Sequence, residues 1–401
     1  MTVATGISMS STIRMTAIAA ASLLGGLPAY GQPTNTQVFT IDCARGQTIA
    51  KALELGDSRK PMLVVIRGTC NENVAVTRDD VTLQGDPTIG GTINGSTARS
   101  TVNIAASRVV IDRLLVSGGT NGIRVAGTLS ATIVNSTIRG ATLSGIALIN
   151  AHASINNSTI ENAGTGVSLQ AATARLQNNK IRANGGHGVY LNGRSHISSN
   201  GNTISSNGSN GIMAEENSNV SSLRDTISSN GAGGVLVVKA SYASLNQGTV
   251  ASNGSHGVYV GFASAGISGG STISSNQGCG VYGDSVVLNV TDSTITGNQG
   301  CGVSVYLGSS VALGRSAVNG NIGDGLAVRA NSTAHIDAAT IKSNTGNGIF
   351  LQMGSKLVTQ PSLVSDLNGN GGWGLECTDG ESSVESLALL NGTVSPACTG
   401  F

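Results

Sequence analysis

One short phrase returns along this chain: a glycine, an aliphatic residue, any residue, an aliphatic residue. Its glycines are Gly122, Gly145, Gly166, Gly188, Gly211, Gly234, Gly257, Gly280, Gly302, Gly325, Gly348 and Gly374, spaced by 21 to 26 residues and most often by 23. The position after the glycine is Ile, Val or Leu in every copy, from Ile123 and Ile146 to Ile349 and Leu375. The third is mostly aliphatic too (Val125, Leu148, Leu191, Val260, Leu351), whereas the second runs from Arg124 and Ser168 to Tyr259 and Phe350. Alternation of period two with a free outer position predicts a strand with one buried face. A second aliphatic column lies seven residues before most glycines, as at Ile138, Ile181, Ile204 and Ile295, with Ile160 one residue closer. A third lies about five residues further upstream, as at Ile133, Ile155, Leu245 and Ile336. Each repeat is therefore predicted to hold at least two short strands joined by Ser, Asn and Gly turns, and no stretch inside it has helical spacing.

A fixed period of this length means that successive repeats stack as a solenoid. Parallel strands set the coils ~4.8 Å apart, so the twelve coils rise ~55 Å. Stacking turns equivalent positions into columns. The clearest is asparagine four residues before the glycine: Asn162, Asn184, Asn207, Asn230, Asn253, Asn276, Asn298, Asn321, Asn344 and Asn370. A carboxamide can accept from one copy and donate to the next, so this column is read as structural.

The two ends depart from the pattern. Residues 1–31 have the form of a secretory signal: Arg14, an apolar run from Met15 to Leu27, then the small residues Ala29 and Gly31. Residues 32–83 are expected to form an N-terminal cap and first coil, with strands at Val38–Asp42 and Met62–Arg67. Between them Ile49, Ala52 and Leu53 fall on one face of a short helix that would close the open end of the core. Residues 84–378 are assigned to the solenoid and 379–401 to a C-terminal cap, in which Val384, Leu387 and Leu390 are expected to lie as a lid.

The six cysteines fall as Cys43 with Cys70, Cys279 with Cys301, and Cys377 with Cys398. Cys279 and Cys301 each precede the phrase glycine in adjacent coils, which places their Cα atoms ~5 Å apart, within disulfide reach. No CxxC or histidine partner supports a metal, and none is assigned. Disulfides and a leader together point to a secreted, periplasmic or cell-surface protein. Charged residues make up 11% and the net charge is +1. No basic patch suggests nucleic acid or an anionic membrane, and after the leader no run is long enough to span a bilayer. No cofactor is assigned.

With the coil length, the asparagine column and the small-residue turns in view, the chain from about Thr40 onward resembles the right-handed parallel β-helix proteins of the pectate-lyase-like superfamily. TIAKAL followed by LVVIRGTCNENVAV is similar to the opening of many of them. The resemblance implies an all-β, right-handed parallel β-helix with an N-terminal capping helix. It also implies polysaccharide chemistry on the outer face of one sheet. The motifs of the polygalacturonases are missing except Gly186-His187-Gly188, beside a second Ser255-His256-Gly257, and both histidines are read as exposed turn residues.

The outward column after the phrase glycine then becomes the candidate face. Tyr190, Met213, Leu236, Tyr259 and Tyr282 form an apolar stripe ~19 Å long on consecutive coils. Glu215, His256 and Asp284 flank it. Glu215 and Asp284 lie ~14 Å apart, too far to act as a pair in glycoside hydrolysis, and Lys239 and Arg329 are read as lone bases. The expected function is an exported, non-catalytic β-helix whose partner is a polysaccharide or cell-envelope glycan. The alternative is a lyase, epimerase or hydrolase acting on an acidic polysaccharide, and a third reading is a surface fibre of the phage or autotransporter kind.

Overall fold

The computed structural model describes residues 35–359 and 363–400. The expected leader, residues 1–31, lies outside the described residues.

Each repeat contributes three strands, and the strands stack in register into parallel sheets around one core. Sheet C carries the glycine phrase and has 14 strands, from Val74–Val76 to Leu375–Cys377. Its register aligns Val189, Ile212, Val235, Val258, Val281 and Val303 as one column, all fully buried. Sheets A and B hold the other two aliphatic columns, represented by Ile133 with Ile155 and by Ile181 with Ile204. They are continuous through the long strand Met62–Cys70, which pairs with Val81–Gly85 at one end and Gly91–Gly95 at the other. The sequence shows the inner columns because a residue that meets its own kind above and below, inside a shared core, is held to one shape.

The asparagine column is a hydrogen-bond ladder. From Asn184 to Asn344 each Nδ2 donates to the Oδ1 of the asparagine one coil on, at 2.9–3.0 Å. Each also donates to a backbone carbonyl of the previous coil, as Asn253 does to Ile227. Asn162 does not belong to it: it is exposed and left-handed (φ 53°), and the backbone N–H of Ala163 is what Asn184 Oδ1 accepts. Of the two residues this 21-residue repeat lacks relative to 23, one falls between ladder and glycine, so the ladder position shifts to Ala163. The phrase glycine is required by the same packing. A Cβ on Gly234 would stand 2.3 Å from Val250 Cγ1 and 2.6 Å from the Gly257 carbonyl oxygen.

A second ladder, which sequence reading did not pick out, joins Asn179 to Asn202 and Asn202 to Asp225 between sheets A and B. Asp225 is 1% exposed and ends it, accepting from Asn202 and from the Ser222 hydroxyl. The equivalent position one coil on is Gly248, which places no side-chain acceptor opposite the carboxylate.

At the N-terminal end the helix Ile49–Leu55 buries Ile49 and Ala52. Its first turn is capped by Thr48 and by the Glu72 carboxylate, which accepts from the N–H groups of Ile49 and Ala50. In the C-terminal segment Val384 and Leu390 join the core and Leu387 packs against it. Ser383–Val384 pairs with Lys356–Thr359, Leu390–Asn391 pairs with Ser365–Asp366, and Val394 bridges to Leu375, so the chain winds a further coil. Val384 and Leu390 were legible as apolar positions, but two-residue strands leave too little alternation to tell winding from covering. Cys43–Cys70, Cys279–Cys301 and Cys377–Cys398 are disulfides, and the middle pair spans adjacent coils with Cα atoms 4.4 Å apart.

Candidate functional site

The outer face of sheet C presents Tyr190, Met213, Leu236, Tyr259 and Tyr282 on five consecutive coils, aligned by the strand register. They are half-buried rather than fully exposed, because each side chain covers its neighbours along the column. The column is bounded toward the C-terminus by Ser304 and Ala327, which are buried. Two clusters stand on it.

In the first, Glu215 accepts from the Tyr190 hydroxyl and from Lys239 Nζ, each at 2.5 Å, and Lys239 also lies 3.9 Å from Glu216. Lys239 is therefore not the lone base of the sequence reading. Its hydrogen bond and then that of Tyr190 hold the Glu215 carboxyl below its ordinary range. Burial first, then the Glu215 bond, push the Tyr190 phenol up to about 12. Lys239 is raised in turn by Glu215. The His187 ring stacks on Tyr190 at 5.7 Å.

In the second cluster the rings of Tyr259 and Tyr282 stack at 5.6 Å and 14°, and His256 stacks on Tyr282 at 5.0 Å and lies tilted by 38° to Tyr259 at 6.0 Å. Asp284 lies one strand position beyond Gly283 on the same coil. Burial and then the Asp284 charge raise the Tyr259 phenol.

Both histidines are half-buried, and burial lowers both below the ordinary imidazole value. The expectation of exposed turn residues is corrected by their neighbours: each packs against a tyrosine, and each accepts a backbone N–H through Nδ1. The donor is Asn210 for His187, at 3.3 Å, and Cys279 for His256, at 3.0 Å. An Nδ1 used as acceptor leaves Nε2 as the nitrogen that carries the proton. Near neutral pH each ring is thus a neutral donor.

Arg329 is not lone either. It lies 3.5 Å from Asp324 and over the Phe350 ring at 5.0 Å, while Asn347 joins Asp324 to Glu376. In the sequence Arg329 stands alone among its neighbours, with nothing to tie it to Asp324 or Glu376. What sequence reading missed was their association, and likewise that of Tyr190, Glu215 and Lys239. Cross-coil contacts join residues one repeat apart plus or minus one or two positions, and no column of like residues announces them.

The chemistry of the first cluster sets a pH signature. Because its folded-state value is depressed, Glu215 stabilises the fold fully above the unfolded carboxylate value of 4.5, and this contribution is lost as pH falls through the lower folded value. Glu215→Gln is therefore expected to lower the denaturation midpoint at pH 7 and to converge on the parent protein in acid. A gap that stays constant down to pH 3 would show that the charge of Glu215 is not what holds the cluster.

The sequence model of a family described as "Right handed beta helix region" matches residues 100–250 and 234–386. No curated protein matches the chain by sequence comparison. Among solved structures, the chain is similar to the catalytic unit of a thermostable GH87 alpha-1,3-glucanase from Streptomyces thermodiastaticus, with a TM-score of 0.53 and 16% identity over 85% of this chain and 69% of that one. It is similar to the Dettilon tailspike protein, with a TM-score of 0.50 and 14% identity over 83% of this chain and 64% of that one. The A-module of mannuronan C-5 epimerase AlgE6 of Azotobacter vinelandii aligns with a TM-score of 0.43 and 13% identity, over 82% of this chain and 94% of that one. At these identities the likeness is one of fold.

Proposed function

The chain belongs to the right-handed β-helix family, and from that premise we propose that it is an exported carbohydrate-binding protein whose contact surface is the outer face of sheet C. The observation that carries this reading is the stacked platform of His256, Tyr259 and Tyr282. Flat rings of this kind meet the apolar faces of sugar rings, and neutral Nε2–H and phenol groups at their edges supply the directional hydrogen bonds that fix a glycan. A rigid solenoid presents such a platform with little ordering on binding. The three disulfides fit an oxidising compartment outside the cytoplasm. Among the described residues no helix is long and apolar enough to cross a membrane.

The protonation states favour contact over turnover. Glu215 is held as a carboxylate, Tyr190 as a phenol and Lys239 as an ammonium ion, each locked by the others. A general acid or base works best with a pKa near the operating pH, and these three are moved away from it. Glucanase, epimerase and tailspike neighbours share the fold, which by itself hosts many functions.

The test is retention of the purified protein on a panel of plant, microbial and envelope polysaccharides, with released reducing ends and unsaturated products measured in the same wells. Retention by at least one polymer without product supports the proposal. Product formation would replace it with the enzymatic reading, and no retention by any polymer would remove it.

A further inference from the structure

The apolar surface does not end with sheet C. The Tyr259 ring lies against Gly261, where a Cβ would come within 3.0 Å of the ring. The next residue, Phe262, begins the corner that leads into sheet A, and it is 68% exposed. Around it the corner is hollowed into an open groove of about 690 Å³, walled by Tyr242, Phe262, Val286, Val287 and Leu307. No lining residue is charged.

Two further observations bear on what fills it. Coils turn this corner through left-handed residues, elsewhere Ala171, Arg194, Ser285 and Ala330. At Phe262 and Leu307, φ is 49° and 53°. Bulky side chains are disfavoured there, and both of these are solvent-exposed, so packing within the chain does not offset the strain. The second observation is electrostatic. From His256 across Tyr259 and Tyr282 to the groove, residues 256–262 and 279–287 contain one charged side chain, the carboxylate of Asp284, and no cation. The cation beside the path, Lys239 at the corner one coil before Phe262, is already engaged by Glu215, so an anionic polymer would meet the Asp284 charge with no unengaged partner among these residues.

We propose that the corner groove is a second subsite for the polysaccharide bound on sheet C, and that this polymer is uncharged. The inference rests on the carbohydrate reading above. A chain lying on Tyr259 and Tyr282 continues past Gly261, which carries no side chain to block it, and places a later sugar between Phe262 and Tyr242.

The experiment compares the parent protein with Phe262→Asn, since asparagine accepts the left-handed conformation and Phe262 is not in the core. Affinities are measured for trisaccharides and longer fragments of neutral glucan, xylan and mannan, and for polygalacturonate. Phe262→Asn is expected to bind the longer neutral fragment about tenfold more weakly, with trisaccharide affinity and thermal midpoint no lower than those of the parent. Polygalacturonate is expected to bind more weakly than the neutral fragments. Equal affinity of parent and variant for the longer fragment, or tighter binding of polygalacturonate, overturns the proposal while leaving the sheet C platform standing. Failure of the parent to bind any of these glycans removes the platform reading, and the subsite with it.

Discussion

Asn253→Ala is expected to lower the unfolding free energy by about 4 kcal/mol, more than any surface change on this protein. Asn253 is fully buried at the middle of the ladder. Its Oδ1 accepts both the backbone N–H and the Nδ2 of Asn230, at 3.1 and 3.0 Å, and its Nδ2 serves Asn276 and the Ile227 carbonyl. Alanine leaves the Asn230 N–H without a partner in a site water cannot reach, and a buried donor left unmade costs about 1–3 kcal/mol. The lost side-chain bonds and the small void add the rest. Asn253→Asp is the sharper control. It keeps the acceptor toward Asn230 but sets an oxygen against Asn276 Oδ1 and the Ile227 carbonyl, so it is expected to be at least as damaging at pH 7. Chemical denaturation of the two variants decides this, and a loss under about 1 kcal/mol for both would show that the ladder is decorative.

The tolerated carboxylate in the other ladder makes the same point from inside the molecule. Asp225 accepts from Asn202 and Ser222 and has Gly248 at the equivalent position of the following coil. A carboxylate is accommodated where the next coil offers no side-chain oxygen of its own.

The solenoid was legible because its physics repeats. Ile, Val and Leu return in the inner columns, and glycine returns where a Cβ would strike the next coil, as at Gly234. Cys279 and Cys301 could be paired from register alone, and the bridge is present. Legibility failed where the repeat is interrupted or where contacts run diagonally. One missing residue moved the ladder from Asn162 to Ala163. The Tyr190, Glu215 and Lys239 cluster joins three positions that lie in three different columns, so each looked solitary in the sequence. His187 and His256 looked like turn residues because the burial that lowers their pKa comes from tyrosines three residues away on the same coil and, for His256, on the next. Phe262 and Leu307 were not singled out at all, since apolar residues in a corner follow no period.

The largest functional effect is expected from removing the stacked pair. Tyr259 and Tyr282 are half-buried and their rings cover each other, while the strand beneath is held by Val258, Val260 and Val281, all fully buried. Truncating the rings therefore strips the surface and spares the core. Binding energy at such surfaces concentrates in a few central aromatic residues, so loss of both is expected to weaken glycan affinity about a hundredfold. The most direct measurement is a calorimetric titration of the best-retained polysaccharide fragment into the parent protein and into the Tyr259→Ala, Tyr282→Ala double variant, with denaturation midpoints recorded alongside. The parent is expected to give a saturable isotherm, and the variant a flattened one with nearly the same unfolding midpoint. An unchanged isotherm in the folded double variant would place the glycan elsewhere and rule out the sheet C platform as its site.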